Sequence, residues 1–269
     1  MTSSHFGWIG VLFLALLTAC GGEDGAVASL FDVGDGRQLY LACEGQGSPT
    51  VVMEAGGAGH SGSWRFVQPE VADFTRVCVY DRAGTGRSGS IPPHPTIQAI
   101  SKDLRTLLAA ARVDPPYVLV GHSLGGIIAR QFATQHPAEV VGMVLVDTSQ
   151  GDPRTRFQAA LTPEEWQRYR STSHDADFVI PEGIDLLGPD LADTPLVVLS
   201  AGIFGGDAPP DLAEKLDSVR LELQRELLDL SSNSTHVIAD SDHAIPTNQP
   251  ELVAGAVRQV VEDVRSDRE

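Results

Sequence analysis

Ser123 lies in Gly121-His122-Ser123-Leu124-Gly125-Gly126, between an apolar run, Tyr117-Val118-Leu119-Val120, and a helix-like stretch over 127–136. A serine hydroxyl is a weak nucleophile until a neighbouring base takes its proton and the backbone lifts it clear of its surroundings. A sharp turn from strand to helix does the lifting at some cost in strain, and small residues at 121 and 125 let such a turn close without side-chain collision. The turn also aims the N–H of Leu124, at a helix start, toward the place where an oxyanion would form. The base is expected at His243, in Asp240-Ser241-Asp242-His243-Ala244-Ile245-Pro246. That segment follows a strand-like run, 236–239, and precedes the last helical pattern, so it falls on the sheet edge where Ser123 would stand. His236, inside the run, reads as a satisfied structural residue.

Short Val-rich runs at 50–54, 76–80, 117–120, 140–146, 196–199 and 236–239 have the composition of strands covered on both faces. Between them Ile97, Ile100, Leu104, Leu107, Leu108 and Ala111 recur at helical spacing behind a capping Thr96, and Leu252, Val253, Ala256, Val257, Val260, Val261 and Val264 trace another helix face. Strands alternating with helices predict an α/β fold with a doubly wound, mostly parallel sheet. Two segments interrupt the alternation. Residues 149–193 are polar, carry Trp166, Tyr169 and Phe178, and read as a small lid inserted above the nucleophile; residues 203–234 contain a helix with Leu212, Leu216, Val219, Leu223, Leu227 and Leu230 on one side. The core is accordingly expected over 30–148 and 194–269.

The 269 residues suit one large domain, and 36 acidic against 19 basic side chains give a net charge of −17. Such a chain repels phosphate backbones and anionic membrane surfaces over a Debye length, so nucleic acid is excluded as a partner. Residues 9–19 form an apolar run of 11, too short to span a bilayer and suited to the core of an export signal. The run ends in Leu17-Thr18-Ala19-Cys20, which resembles the lipobox of bacterial lipoproteins, although residues 1–8 hold no Lys or Arg. Residues 1–20 are therefore expected to be a signal peptide with Cys20 as the lipidated residue, 21–29 a tether, and the protein exported and membrane-anchored, or else secreted. Cys43 and Cys78 fall on separate strand-like runs; in an exported chain they could be bridged, or remain two buried thiols.

The strand–turn–helix setting of Ser123 resembles the nucleophile elbow of α/β-hydrolase fold serine hydrolases of the lipase/esterase-like type. Two further stretches carry the resemblance. Thr50-Val51-Val52-Met53-Glu54-Ala55-Gly56-Gly57-Ala58-Gly59, with Trp64 beyond, is similar to the loop after the family's third strand, and Tyr80-Asp81-Arg82-Ala83-Gly84-Thr85-Gly86-Arg87-Ser88 to the turn after its fourth. The resemblance implies that the N–H of Gly57 joins that of Leu124 in an oxyanion hole, and that Asp81, Arg82 and Ser88 are architectural. It also sets the second strand beside the fourth, which favours a Cys43–Cys78 disulfide. For the triad acid it leaves two candidates. Most members carry it after the strand at 196–199, where the carboxylate offered here, Asp207, comes late; some relatives carry it one strand earlier, where Asp147 follows Val144-Leu145-Val146.

The chemistry implied is acyl transfer: His243 deprotonates Ser123, the hydroxyl attacks a small-molecule ester or related acyl carbonyl, and water releases the acid. Serine at 123 argues against dehalogenase and epoxide hydrolase chemistry, for which the resembling families use aspartate. No phosphate loop, dinucleotide fingerprint or Cys/His metal spacing occurs, so no cofactor is expected. Peptidase, thioesterase, lactonase, acyltransferase and cofactor-free haloperoxidase activities would use the same machinery, and a binding protein that kept the fold without turnover is the rival of a different class.

Overall fold

Runs of β-branched residues with no polar alternation must be covered on both faces, and in the computed structural model of this chain they form the middle of one sheet. The structure describes residues 26–90, 92, 96–148, 153–172, 188–203 and 209–267. Its strands are β1 (Val27–Gly34), β2 (Arg37–Glu44), β3 (Thr50–Glu54), β4 (Val77–Tyr80), β5 (Tyr117–His122), β6 (Val140–Val146), β7 (Leu196–Ala201) and β8 (Ser234–Ala239), in the order β1-β2-β4-β3-β5-β6-β7-β8. β2 runs antiparallel to β1 and β4, and all remaining pairs are parallel. The fold is that of the α/β hydrolases.

Helices cover the two faces. On one lie α2 (Ile97–Ala110) and α3 (Leu124–Gln135), whose Leu104, Leu107, Leu108 and Phe132 pack against Leu41, Leu119 and Met143 of the sheet. The expected cap of α2 is present, with Thr96 Oγ1 accepting from Ala99 N at 3.1 Å. On the other face are α1 (Gln68–Ala72) and α8 (Pro250–Ser266). Val253, Val257, Val260 and Val261 of α8 are each 0% exposed, and burying each contributes about 1.5–3 kcal/mol. The short α7 (Ile245–Asn248) precedes α8.

Strand structure is present earlier in the chain than the expected start near Leu30. The tether expected over 21–29 gives way at Val27 to β1, which pairs with β2 from Val27↔Cys43 onward. Its residues Ala28, Ser29 and Leu30 are exposed while Val27, Phe31 and Val33 pack on the core; the polar Ser29 and the exposed Leu30 break the alternation that would mark the strand. One pair further into the sheet, Cys43 faces Cys78 across β2 and β4, and the two are disulfide-bonded.

Of the segment read as a lid, residues 153–172 and 188–193 are described. They form α4 (Pro153–Ala160) and α5 (Pro163–Thr172), which pack through Phe157, Leu161, Trp166 and Tyr169 onto Leu212 and Leu216 beside α6 (Ala213–Arg225). Described parts of the two interruptions thus share one satellite apolar cluster, while Leu227 and Leu230 of the second belong to the main core. At the far end of the first, Leu191 already belongs to the main core, so the insertion's return to the sheet starts before the expected boundary. No described helix is long and apolar enough to cross a membrane. Residues 1–25, with the expected signal and Cys20, lie outside the described residues.

Candidate active site

Ser123 joins β5 to α3 with φ 53° and ψ −123°, a left-handed conformation that a side-chain-bearing residue adopts only when its surroundings impose it. The imposition is visible in the packing. A Cβ on Gly121 would stand 2.5 Å from Gly126 Cα, and one on Gly125 would stand 2.2 Å from the carbonyl oxygen of Glu54, at the end of β3. Bare backbone at these two positions lets the turn close and lets it sit directly against the loop after β3. Ser123 N is tied to Val146 O at 3.0 Å, which fixes the elbow to β6.

The end of β6 presents Asp147, also at positive φ, 43°, a conformation that aspartate tolerates better than most residues. Asp147 Oδ2 lies 2.6 Å from His243 Nδ1. The aspartate side chain is 4% exposed and the histidine 56%, so a buried acceptor orients an open imidazole. Nδ1–H donates to the carboxylate, which leaves Nε2 as the nitrogen available as a base. The other oxygen, Oδ1, accepts from Ala201 N at 3.0 Å, Arg220 Nη1 at 3.0 Å and Gln224 Nε2 at 3.1 Å. Burial acts to raise the Asp147 carboxyl, but the hydrogen bond and charge of His243, with Arg220 and the Ala201 amide, outweigh it and hold the group below its ordinary value. The acid is therefore ionised at neutral pH.

The network continues outward. Ser200 Oγ donates to Gln224 Oε1 at 3.2 Å and lies 2.8 Å from His236 Nε2. A hydroxyl has one proton, so His236 Nε2–H is the donor there. His236 is thus a structural residue that helps orient the amide holding Asp147. Arg220 and Gln224 were missed from sequence, where α6 read as a leucine stripe; the usable signal is their i, i+4 spacing, which puts both on one helix face.

Ser123 and His243 line one cavity of about 330 Å³, together with Gly56, Gly57, Gly59, Ser63, Trp64, Arg65, His122, Ala244, Pro246 and Thr247. Among the described residues, none of α4 or α5 lines it. Gly57 is on the wall, and a Cβ on its neighbour Gly56 would lie 3.4 Å from Ser123 Cβ. Leu124 is the first residue of α3, where an N–H has no partner within the helix. His122 Nε2 donates to the carbonyl of His243 at 2.8 Å, and the two rings are 4.6 Å apart. Burial, reinforced by His243, lowers His122 to about 4, so it is a neutral Nε2–H tautomer under ordinary conditions.

The turn after β4 stands behind this wall. Asp81 accepts from Ser61 N and Arg87 N, both at 2.7 Å, and Ser88 Oγ donates to Asp81 O at 2.5 Å while accepting from Tyr40 N at 2.8 Å. None of the three residues singled out there, Asp81, Arg82 and Ser88, lines the cavity. The alternative acid Asp207 lies outside the described residues, and no group of metal-binding side chains occurs among those described.

Residues 49–178 match the family described as alpha/beta hydrolase fold. YqjL of Bacillus subtilis strain 168 is 30% identical over 226 residues, spanning 81% of this chain and 85% of its own, and an AB hydrolase superfamily protein of Gibberella zeae is 25% identical over 87% of this chain and 94% of its own. Among solved structures, a thermophilic esterase of Thermogutta terrifontis superposes with a TM-score of 0.62 at 23% identity, covering 89% of this chain and 98% of that one. Est816, an N-acyl homoserine lactone degrading enzyme, gives 0.63 at 19% identity over 86% and 99%. The chain belongs to the α/β-hydrolase fold family. It is an enzyme, and a hydrolase.

Proposed function

We propose that the chain cleaves carboxylic esters, or related acyl compounds, through an acyl-enzyme on Ser123. His243 acts as base toward the serine and then as acid toward the leaving group; Asp147 fixes its tautomer and stabilises the imidazolium that forms. The tetrahedral oxyanion rests on the N–H groups of Gly57 and Leu124, and water repeats the sequence to release the acid. The observation that carries the proposal is the 2.6 Å contact of His243 Nδ1 with a buried, ionised Asp147, at the cavity that Ser123 also lines. A lactone is a cyclic ester and suits the same attack, so the Est816 comparison puts lactones in the test.

That test is hydrolysis of short p-nitrophenyl esters, an N-acyl homoserine lactone and a peptide amide by wild type and Ser123→Ala. Ester or lactone turnover that disappears in the variant is expected. Turnover surviving in the variant, or preference for the amide, contradicts it. The reading extends to location: an exported enzyme anchored by lipid at Cys20. Support comes from the Cys43–Cys78 bridge, because disulfides persist in oxidising compartments. Membrane fractionation of wild type against Cys20→Ala decides it, with release or loss of processing expected for the variant.

A further inference from the structure

Arg82 is 7% exposed and makes more hydrogen bonds than any ion pair needs. Its Nη1 donates to Glu54 Oε1, and to Ala55 O at 2.6 Å; its Nη2 donates to Gly56 O, and to Gly57 O at 2.5 Å. Glu54, 2% exposed, is held from its other side by the Tyr80 hydroxyl. One planar guanidinium therefore gathers three successive carbonyls of the loop after β3. In a trans peptide the C=O of one residue and the N–H of the next point in opposite directions. Drawing Gly56 O toward Arg82 turns the Gly57 N–H away from it, and Gly57 is on the wall of the cavity that holds Ser123. The loop cannot back away on the other side, since Glu54 O lies against Gly125 of the elbow with no room for a Cβ between them.

From this we infer that Arg82 is a positioning residue for the oxyanion hole: its fork sets the peptide between Gly56 and Gly57 so that the Gly57 N–H faces the developing oxyanion. The inference rests on the proposed acyl-transfer reading and goes beyond a purely architectural role for this turn. Its physical basis is that oxyanion donors stabilise the transition state only if they are aimed before the charge develops. A glycine-rich loop has no side chains to hold its peptides in one orientation. A lysine at 82 would keep the charge beside Glu54, but a single ammonium cannot span three carbonyls as a guanidinium does.

The test is Arg82→Lys, compared with wild type for ester turnover across pH and for affinity toward a tetrahedral mimic, a trifluoromethyl ketone. Expected is a fall in kcat of about ten- to a thousandfold, bounded by the effect of losing an oxyanion donor, with KM nearly unchanged. The affinity for the ketone should drop by the same factor as kcat/KM. The apparent pKa values of the pH–rate profile should stay, because Arg82 does not touch His243 or Asp147. A general structural defect would instead lower the fraction of titratable sites and leave each surviving site at wild-type affinity. Should Arg82→Lys fail to fold, the double variant Glu54→Gln with Arg82→Gln leaves no unpaired buried charge and is measured the same way. A folded variant with kcat and ketone affinity within twofold of wild type overturns the inference, as does failure of both variants to fold, which assigns Arg82 to stability alone. If wild type itself takes up neither ester nor ketone at Ser123, the hydrolase reading fails, a result distinct from either.

Discussion

Asp147 carries the sharpest forecast, because it was one of two candidate acids and the structure brings it to His243. Asp147→Asn keeps the shape and the contacts of Oδ1 but favours the wrong imidazole tautomer. We expect kcat to fall by about 10³- to 10⁴-fold, read by steady-state kinetics; a loss below tenfold would move the acid elsewhere. His122 makes a different forecast, in stability. Its ordinary value of 6.5 is lowered to about 4 in the folded chain, so between those values the unfolded chain binds a proton that the folded one does not. Stability must then fall as pH drops through this window. The contribution is at most about 3 kcal/mol at 1.36 kcal/mol per pH unit, less where the cavity admits water to the ring. On acidification from pH 6.5 to 4 the stability of wild type should fall relative to that of His122→Gln; a difference that does not change with pH would contradict the assigned shift.

Elements built on apolar spacing were legible. The six Val-rich runs became strands, Thr96 became a cap, and the stripes at 97–111 and 252–264 became α2 and α8 because each faces the sheet. β1 was not legible, since Ser29 and the exposed Leu30 interrupt the spacing of Val27, Phe31 and Val33, which pack on the core. Nor were Arg220 and Gln224 of α6, whose role depends on a contact with the end of β6 that helical periodicity does not encode. The disulfide joins two neighbouring strands with a sequence separation of 35. By the chain-entropy account, reduction should cost about 3–4 kcal/mol, measured as the denaturant midpoint of reduced against oxidised protein. An unchanged midpoint would show that strand pairing alone supplies the constraint.

For the whole molecule, the sheet works as a rail that delivers three loops to one edge. Ser123 directly follows β5, Asp147 directly follows β6, and the loop after β8 carries His243, so residues 24 and 96 positions away from Asp147 in sequence come together at the C-terminal edge of parallel strands. The glycine-rich loop after β3 completes the wall from the other side. At this edge Ser123 is to be acylated by the substrate. The decisive measurement treats the full chain with a fluorophosphonate and maps the adduct by peptide mass spectrometry while ester hydrolysis is followed. A single phosphonyl adduct on Ser123 is expected, formed in step with loss of activity and far more slowly in His243→Ala. Activity that persists in fully labelled protein, or an adduct on another residue that tracks the loss, would contradict it.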